Sequence, residues 1–209
     1  MKTKFFILFI FPLFVFGQSH EPKFNAKAVA LNKKAFKLYW SGNSNDKALN
    51  LKIVKTLDSA TFIDPKFNAA YFNKLKALLA LKKYDLALTA LNNVIKNDPK
   101  NITAYIDEAV IYECYLKDGK RADVSYKKAY NLALQNVKND GHKNSYYDQA
   151  VAYVLFYYKG KESSIAYLNK VLPYYKDEKS IKQVNDLKAS VIREENNTEN
   201  KKKVFDKTF

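Results

Sequence analysis

Residues 64–71 read DPKFNAAY, and residues 98–105 read DPKNITAY, 34 positions later. Asp, Pro, Lys, Ala and Tyr recur in register, and only the three positions between them vary. A chain that writes its punctuation twice at that distance is built from stacked units, each too small to bury its own apolar face alone. Proline fits the first turn of a helix, where its missing N–H costs nothing. Aspartate just before it can cap that helix or complement its dipole. After each DPK comes a run of helical periodicity, a break, and a second run, so each unit should hold two helices. Only five glycines and five prolines occur in 209 residues, which favours helix over sheet.

A two-helix unit of 34 residues resembles the tetratricopeptide repeat. In residues 68–101, Tyr71 and Leu78 take the large slots of the first helix and Tyr84 marks the turn. Ala87 takes the small slot of the second helix, and Leu91, Val94 and Pro99 follow at the family spacing. Two slots depart: Lys74 replaces an aliphatic residue, and Leu75 stands where Gly or Ala lets paired helices approach. Residues 102–135 match through Tyr105, Ala109, Tyr112, Ala122, Tyr126 and Ala129, with a turn at 117–120 that reads one residue longer. Leu31, Ala35, Leu38, Ala48, Ala60 and Pro65 outline an earlier unit. Its turn is expected at 42–45, and its second helix runs about a turn long. Ala152, Leu155, Ser164, Leu168 and Val171 outline a fourth, joined to the third by a polar linker at 136–144. Beyond Tyr175, the residues Ile181, Val184, Leu187 and Val191 form one apolar stripe, as a capping helix requires.

The resemblance implies an all-α fold, a right-handed α-solenoid of about four TPR-like helix pairs plus a C-terminal capping helix. The repeat domain is expected at 28–175, after a lead-in at 18–27, with the cap at 176–193 and a polar, disordered tail at 194–209. The apolar end of that tail, Val204-Phe205 and Phe209, offers a docking peptide as the alternative to a frayed end.

Residues 1–17 read as a signal peptide rather than as part of the fold. Lys2 and Lys4 precede an apolar run from Phe5 to Phe16, and Val15 and Gly17 are small enough for cleavage before Gln18. The run is too short for a membrane-spanning helix, which needs about 20 residues. The protein is therefore expected to be exported, periplasmic or secreted, and not membrane-spanning after cleavage; a retained anchor is the rival reading. With Cys114 the one cysteine, helix packing must supply the stability.

No pattern of catalytic or cofactor chemistry stands out. His20, His142 and Cys114 have no metal-site spacing, and no glycine-rich phosphate loop occurs. Asp107 and Glu108 are adjacent, so they point to different sides of a helix. The reading is of a non-enzyme that needs no cofactor.

What remains is a surface. In the tetratricopeptide family the first helices line the concave side. The resemblance places Asn32, Lys33, Phe36 and Tyr39 there from the first unit, and Phe72, Asn73, Lys76 and Leu79 from the second. The third gives Ile106, Asp107, Val110 and Glu113, and the fourth Tyr146, Gln149, Tyr153 and Phe156. The function expected is an adaptor that binds a protein or peptide in this groove. The alternative is a basic module associating peripherally with an anionic envelope surface, lipid headgroups or cell-wall polymer. The net charge of +15 permits that, but the excess is spread along the chain: +7 over 18–117, +4 over 118–175 and +2 over 176–209. No nucleic-acid partner is expected, because the chain reads as exported and has no arginine-rich stripe, Arg121 and Arg193 being its only arginines.

Overall fold

Each apolar stripe of the sequence becomes a helix that buries that stripe against the next. The computed structural model describes residues 24–42, 46–194 and 201–202. The expected signal segment and most of the first turn, residues 43–45, lie outside the described residues. Helices α1 (Ala26–Ser41) and α2 (Lys47–Ile63) form the first pair, and α3 (Asn68–Ala80) and α4 (Tyr84–Asn97) the second. The third pairs α5 (Ile102–Val110), prolonged by a π turn at Ile111–Tyr115, with α6 (Gly119–Asp140). α7 (Ser145–Lys159) and α8 (Lys161–Val171) make the fourth, and α9 (Glu178–Arg193) comes after them. Each helix packs on its neighbour in sequence, α1 also meets α3, α5 also meets α7, and α9 closes on both α7 and α8. This is an all-α solenoid of TPR-like helix pairs, and first helices meet across units where α1 contacts α3 and α5 contacts α7.

The repeated DPK works differently from the sequence expectation. Asp64 and Asp98 end the preceding helices: their backbone N–H groups donate to Ala60 and Val94 at 3.0 and 2.8 Å. Their side chains accept from the N–H of Lys66 and Lys100 at 3.2 and 3.1 Å, and their carbonyls accept from Phe67 and Asn101. Each DPK is thus a tight turn with proline at its second position, where its fixed φ fits. The next helix starts after it, at Asn68 and Ile102.

The extra residue of the third unit also sits elsewhere. The turns 81–83 and 116–118 have equal length, and Lys82 and Lys117 hold the same left-handed conformation, φ 57°. In the second unit the N–H of Lys83 donates to Leu78, five residues back; in the third, that of Asp118 donates to Tyr112, six back. The added residue is absorbed by the π turn, not by the loop. Likewise the polar linker shrinks: residues 136–140 complete α6, which ends on Gly141 at φ 66°, a conformation that costs glycine little. Gly160, at φ 96°, both ends α7 and starts α8.

The apolar residues merge into two clusters. The smaller joins Ala28, Ala35, Ile53, Leu57, Ala60, Phe67, Ala70 and Ala77; the larger runs from Tyr71 to Val191. The small slots Ala87 and Ala122 are buried, at 0 and 2% exposure, and Ser164 donates to the carbonyl of Ala152 at 2.8 Å across the fourth pair. Ala87→Leu should overpack the second pair and lower unfolding free energy by about 1–3 kcal/mol. Urea melts of the two proteins that coincide would show that the small slot is not a close contact.

Candidate peptide-binding face

The first helices present side chains to one another across unit boundaries. Asn73 on α3 donates to Asn32 on α1 at 2.8 Å, and the Lys76 ammonium lies 4.6 Å from the centre of the Tyr39 ring. Both pairs were expected on the same face, and the structure brings them together. Lys33 is exposed, as is Phe36, whose ring meets that of Trp40 at 5.8 Å. Trp40 is 73% exposed, the more open of the two. Sequence reasoning stopped at Tyr39; the signal for Trp40 was its spacing, one helical turn beyond Phe36.

Phe72 is half-buried and packs on the larger core. It shares this face with Asn73 and Lys76 but is tied into the fold, so its truncation should cost stability before affinity. In the fourth unit, Tyr146 accepts from Gln183 on α9 at 3.0 Å, and Gln149 donates to Ser145 at 3.3 Å. Ser145 in turn donates to Gln183 at 2.6 Å, so Tyr146 and Ser145 tie α9 to α7, while the Gln149 bond stays within α7. Tyr153 meets Tyr157 edge-on, with centroids 5.1 Å apart, and burial pushes its hydroxyl pKa up.

The third unit departs most from expectation. Ile106, Asp107 and Val110 are buried at 1, 4 and 0% exposure, and Leu79 and Phe156 are buried too. Leu79, Ile106, Val110 and Phe156 all belong to the larger core, so helical spacing grouped on one face residues that the packing closes over. Glu113 is not on the Asp107 stripe either. The inserted residue rotates the later side chains of this helix by about 100°. Glu113 then faces α6, where it accepts from the Tyr126 hydroxyl at 2.8 Å, while Glu108 accepts from the adjoining Ser125 at 2.6 Å.

Asp107 sits in this interior with its Oδ2 lacking a hydrogen-bond partner among the described residues. Burial holds its pKa well above the usual carboxyl value. A raised folded-state pKa means the folded chain keeps a proton that the unfolded chain releases. Stability should therefore fall as pH rises above about 3.9, the ordinary aspartate value. Asp107→Asn removes that titration. The variant should match the wild type in acid and exceed it by about 1–3 kcal/mol near neutrality. Parallel stability-versus-pH curves for the two proteins would refute this.

A second polar cluster lies between α7, α8 and α9. Asp148, fully buried, accepts from His142 at 2.9 Å, from the Tyr167 hydroxyl at 2.5 Å and from the Tyr175 hydroxyl. The His142 ring stacks on Tyr174 at 4.3 Å. His142 is thus a structural partner within the fold. Cys114 is buried in the larger core. Among the described residues no group of three His, Cys, Asp or Glu side chains could hold a metal ion, and no helix is long and apolar enough to cross a membrane.

The polar tail expected at 194–209 lies mostly outside the described residues. Lys201 and Lys202 are described, and they are not free of the fold. The Lys201 ammonium lies 3.0 and 3.2 Å from the two oxygens of Glu113, and Lys202 lies 4.9 Å from the centre of the Tyr115 ring.

No family model matches the chain, and no curated protein does. Solved structures similar to it include a crystal structure of MamA, at 15% identity and a TM-score of 0.45, covering 78% of this chain and 81% of that one. Two more are a double mutant of MamA RS-1 and MamA from residue 41 onward of Desulfovibrio magneticus RS-1. Each has 17% identity and a TM-score of 0.35, with 72% of this chain and 96% of the other covered.

Proposed function

We propose that the protein is an exported, non-enzymatic adaptor whose first-helix face binds a protein or peptide. The exposed aromatic pair Phe36 and Trp40, at 53 and 73% exposure beside the Lys76–Tyr39 contact, carries this reading. Large aromatic side chains left in water are the usual anchors of a binding surface. Export is supported by Lys2, Lys4 and the apolar run after them.

Full-length protein immobilised in an envelope extract should retain a specific set of proteins at physiological salt. Phe36→Ala and Trp40→Ala should each weaken that capture by about 1–3 kcal/mol with little change in melting temperature, since neither ring is buried. Capture that survives both substitutions would move the site off this face. Capture that vanishes between low and physiological salt would favour the basic-surface alternative, because many exposed lysines are screened together.

A further inference from the structure

Glu113 is the meeting point of groups from three parts of the chain. The π turn sets its carboxyl toward α6, and Tyr126 donates to Oε2 at 2.8 Å. Lys201, 88 positions further on, brings its ammonium within 3.0 Å of Oε1 and 3.2 Å of Oε2. The same ammonium lies 5.8 Å from the centre of the Tyr126 ring. Lys202 takes the neighbouring aromatic, Tyr115, whose ring meets Tyr84 at 5.3 Å.

The shielding sets this contact apart from ordinary surface pairs. The Lys201 side chain is 12% exposed and that of Glu113 25%. In Lys127–Asp123 and Lys182–Asp186 every partner is more than 40% exposed. An exposed pair contributes little and is screened by salt. A lysine withdrawn from water needs what Glu113 and Tyr126 supply together: two carboxylate oxygens and an aromatic face. The site is also ready without the tail, because Tyr126 and the π turn hold Glu113 from within the third unit.

We propose that Glu113, Tyr126 and Tyr115 form a lysine-recognition site. In the isolated protein Lys201 and Lys202 of the chain's own tail fill it. When the tail leaves, it is open to a lysine-bearing segment of a partner. This rests on the reading of the array as a binding scaffold and names the chemistry of one segment that it takes. The tail reaches its site over a short tether. Seven residues from Glu194 to Lys201 span at most roughly 25 Å, the width of two or three packed helices. A tethered occupant acts at high effective concentration, so weak contacts suffice to fill the site. An incoming segment then meets a partly closed protein. If the tail fills the site about nine-tenths of the time, apparent affinity for a competitor drops about tenfold.

The test uses full-length protein. A zero-length carbodiimide couples a carboxyl to an amine only when the two are in contact. Mass spectrometry of the treated wild type should find Glu113 joined to Lys201. In an equal mixture of isotopically heavy and light protein the joined peptides should carry matching labels. A second arm uses a fluorescent peptide of residues 200–207. It should bind Lys201→Glu/Lys202→Glu protein about tenfold more tightly than the wild type, and Glu113→Gln in that background should abolish the gain. Glu113→Gln retains an acceptor for Tyr126, and a melt matching the wild type confirms that the fold is intact. No coupling at Glu113, joined peptides whose labels are scrambled between heavy and light, or equal peptide affinity for the wild type and the double variant would each overturn the proposal. None of these outcomes touches capture through Phe36 and Trp40, and loss of that capture leaves the coupling result standing.

Discussion

Asp148→Ala should be among the most destabilising single changes in this protein, at about 3–5 kcal/mol. Its carboxyl is fully buried and accepts from three donors, one before α7, one on α8 and one just before α9. Alanine leaves the hydroxyls of Tyr167 and Tyr175 and the His142 ring without their acceptor, and of these three the Tyr175 hydroxyl belongs to a buried residue. Burying a donor unpaired costs about 1–3 kcal/mol, so losses at three groups compound. The damage should be local in origin: α7, α8 and α9 meet at this carboxyl, so the C-terminal end of the array should loosen first. Hydrogen exchange on Asp148→Ala should rise most across residues 145–193. Uniform acceleration along the chain, or a loss below about 1 kcal/mol, would contradict the assignment.

Leu75→Ala carries the second large expectation. Leu75 has 0% exposure and stands in a slot where the tetratricopeptide pattern has Gly or Ala. Two outcomes are physically distinct. If α3 and α4 settle together over the shortened side chain, as that pattern allows, the cost should be about 2–3 kcal/mol. If the surrounding Leu78, Leu91 and Val94 hold their places, a cavity remains and the cost approaches about 5 kcal/mol. Urea denaturation with an unchanged slope distinguishes the two by magnitude, and Leu91→Ala on the facing helix calibrates an unrelieved cavity. A loss below about 1 kcal/mol would remove Leu75 from the core.

The helix pairs were legible because their causes are local. Spacing placed Tyr71, Leu78, Ala87 and Leu91 on buried faces, and the glycine and DPK signals marked the breaks. What the breaks do was harder to read. The hydrogen bonds of Asp64 and Asp98 tie them to the preceding helix, a choice that depends on backbone geometry rather than residue type. A longer unit shows that a residue has been added, not where the backbone stores it, so the sequence places the surplus in the turn at 117–120 rather than in the π turn. Residues 136–140 were read as linker because they are polar, yet the long α6 carries polar residues on its wet side and buries only Val137 there.

The face expected from helical spacing is open in the first unit and packed away in the third and fourth. Helical spacing identifies residues that share a face; it does not say what covers them. Asn73 meets Asn32 and Lys76 meets Tyr39 across the first two units, whereas Ile106, Asp107 and Val110 are buried. The Lys201–Glu113 contact had no local signal, since nothing in a run of lysines names the carboxyl 88 positions earlier that receives one.

The π turn at Ile111–Tyr115 behaves like a stacking fault confined to a single layer. An extra residue in an ordinary helix would throw every later side chain out of phase with its neighbours, and the error would pass from layer to layer. Here one widened turn takes up the surplus, and the next loop regains the geometry of its counterpart, left-handed lysine included. The layers on either side keep their packing. A repeat array that can store a surplus residue this way can accept a length change in one layer without rewriting the rest, and the stored residue is what leaves a carboxylate turned away from its own stripe.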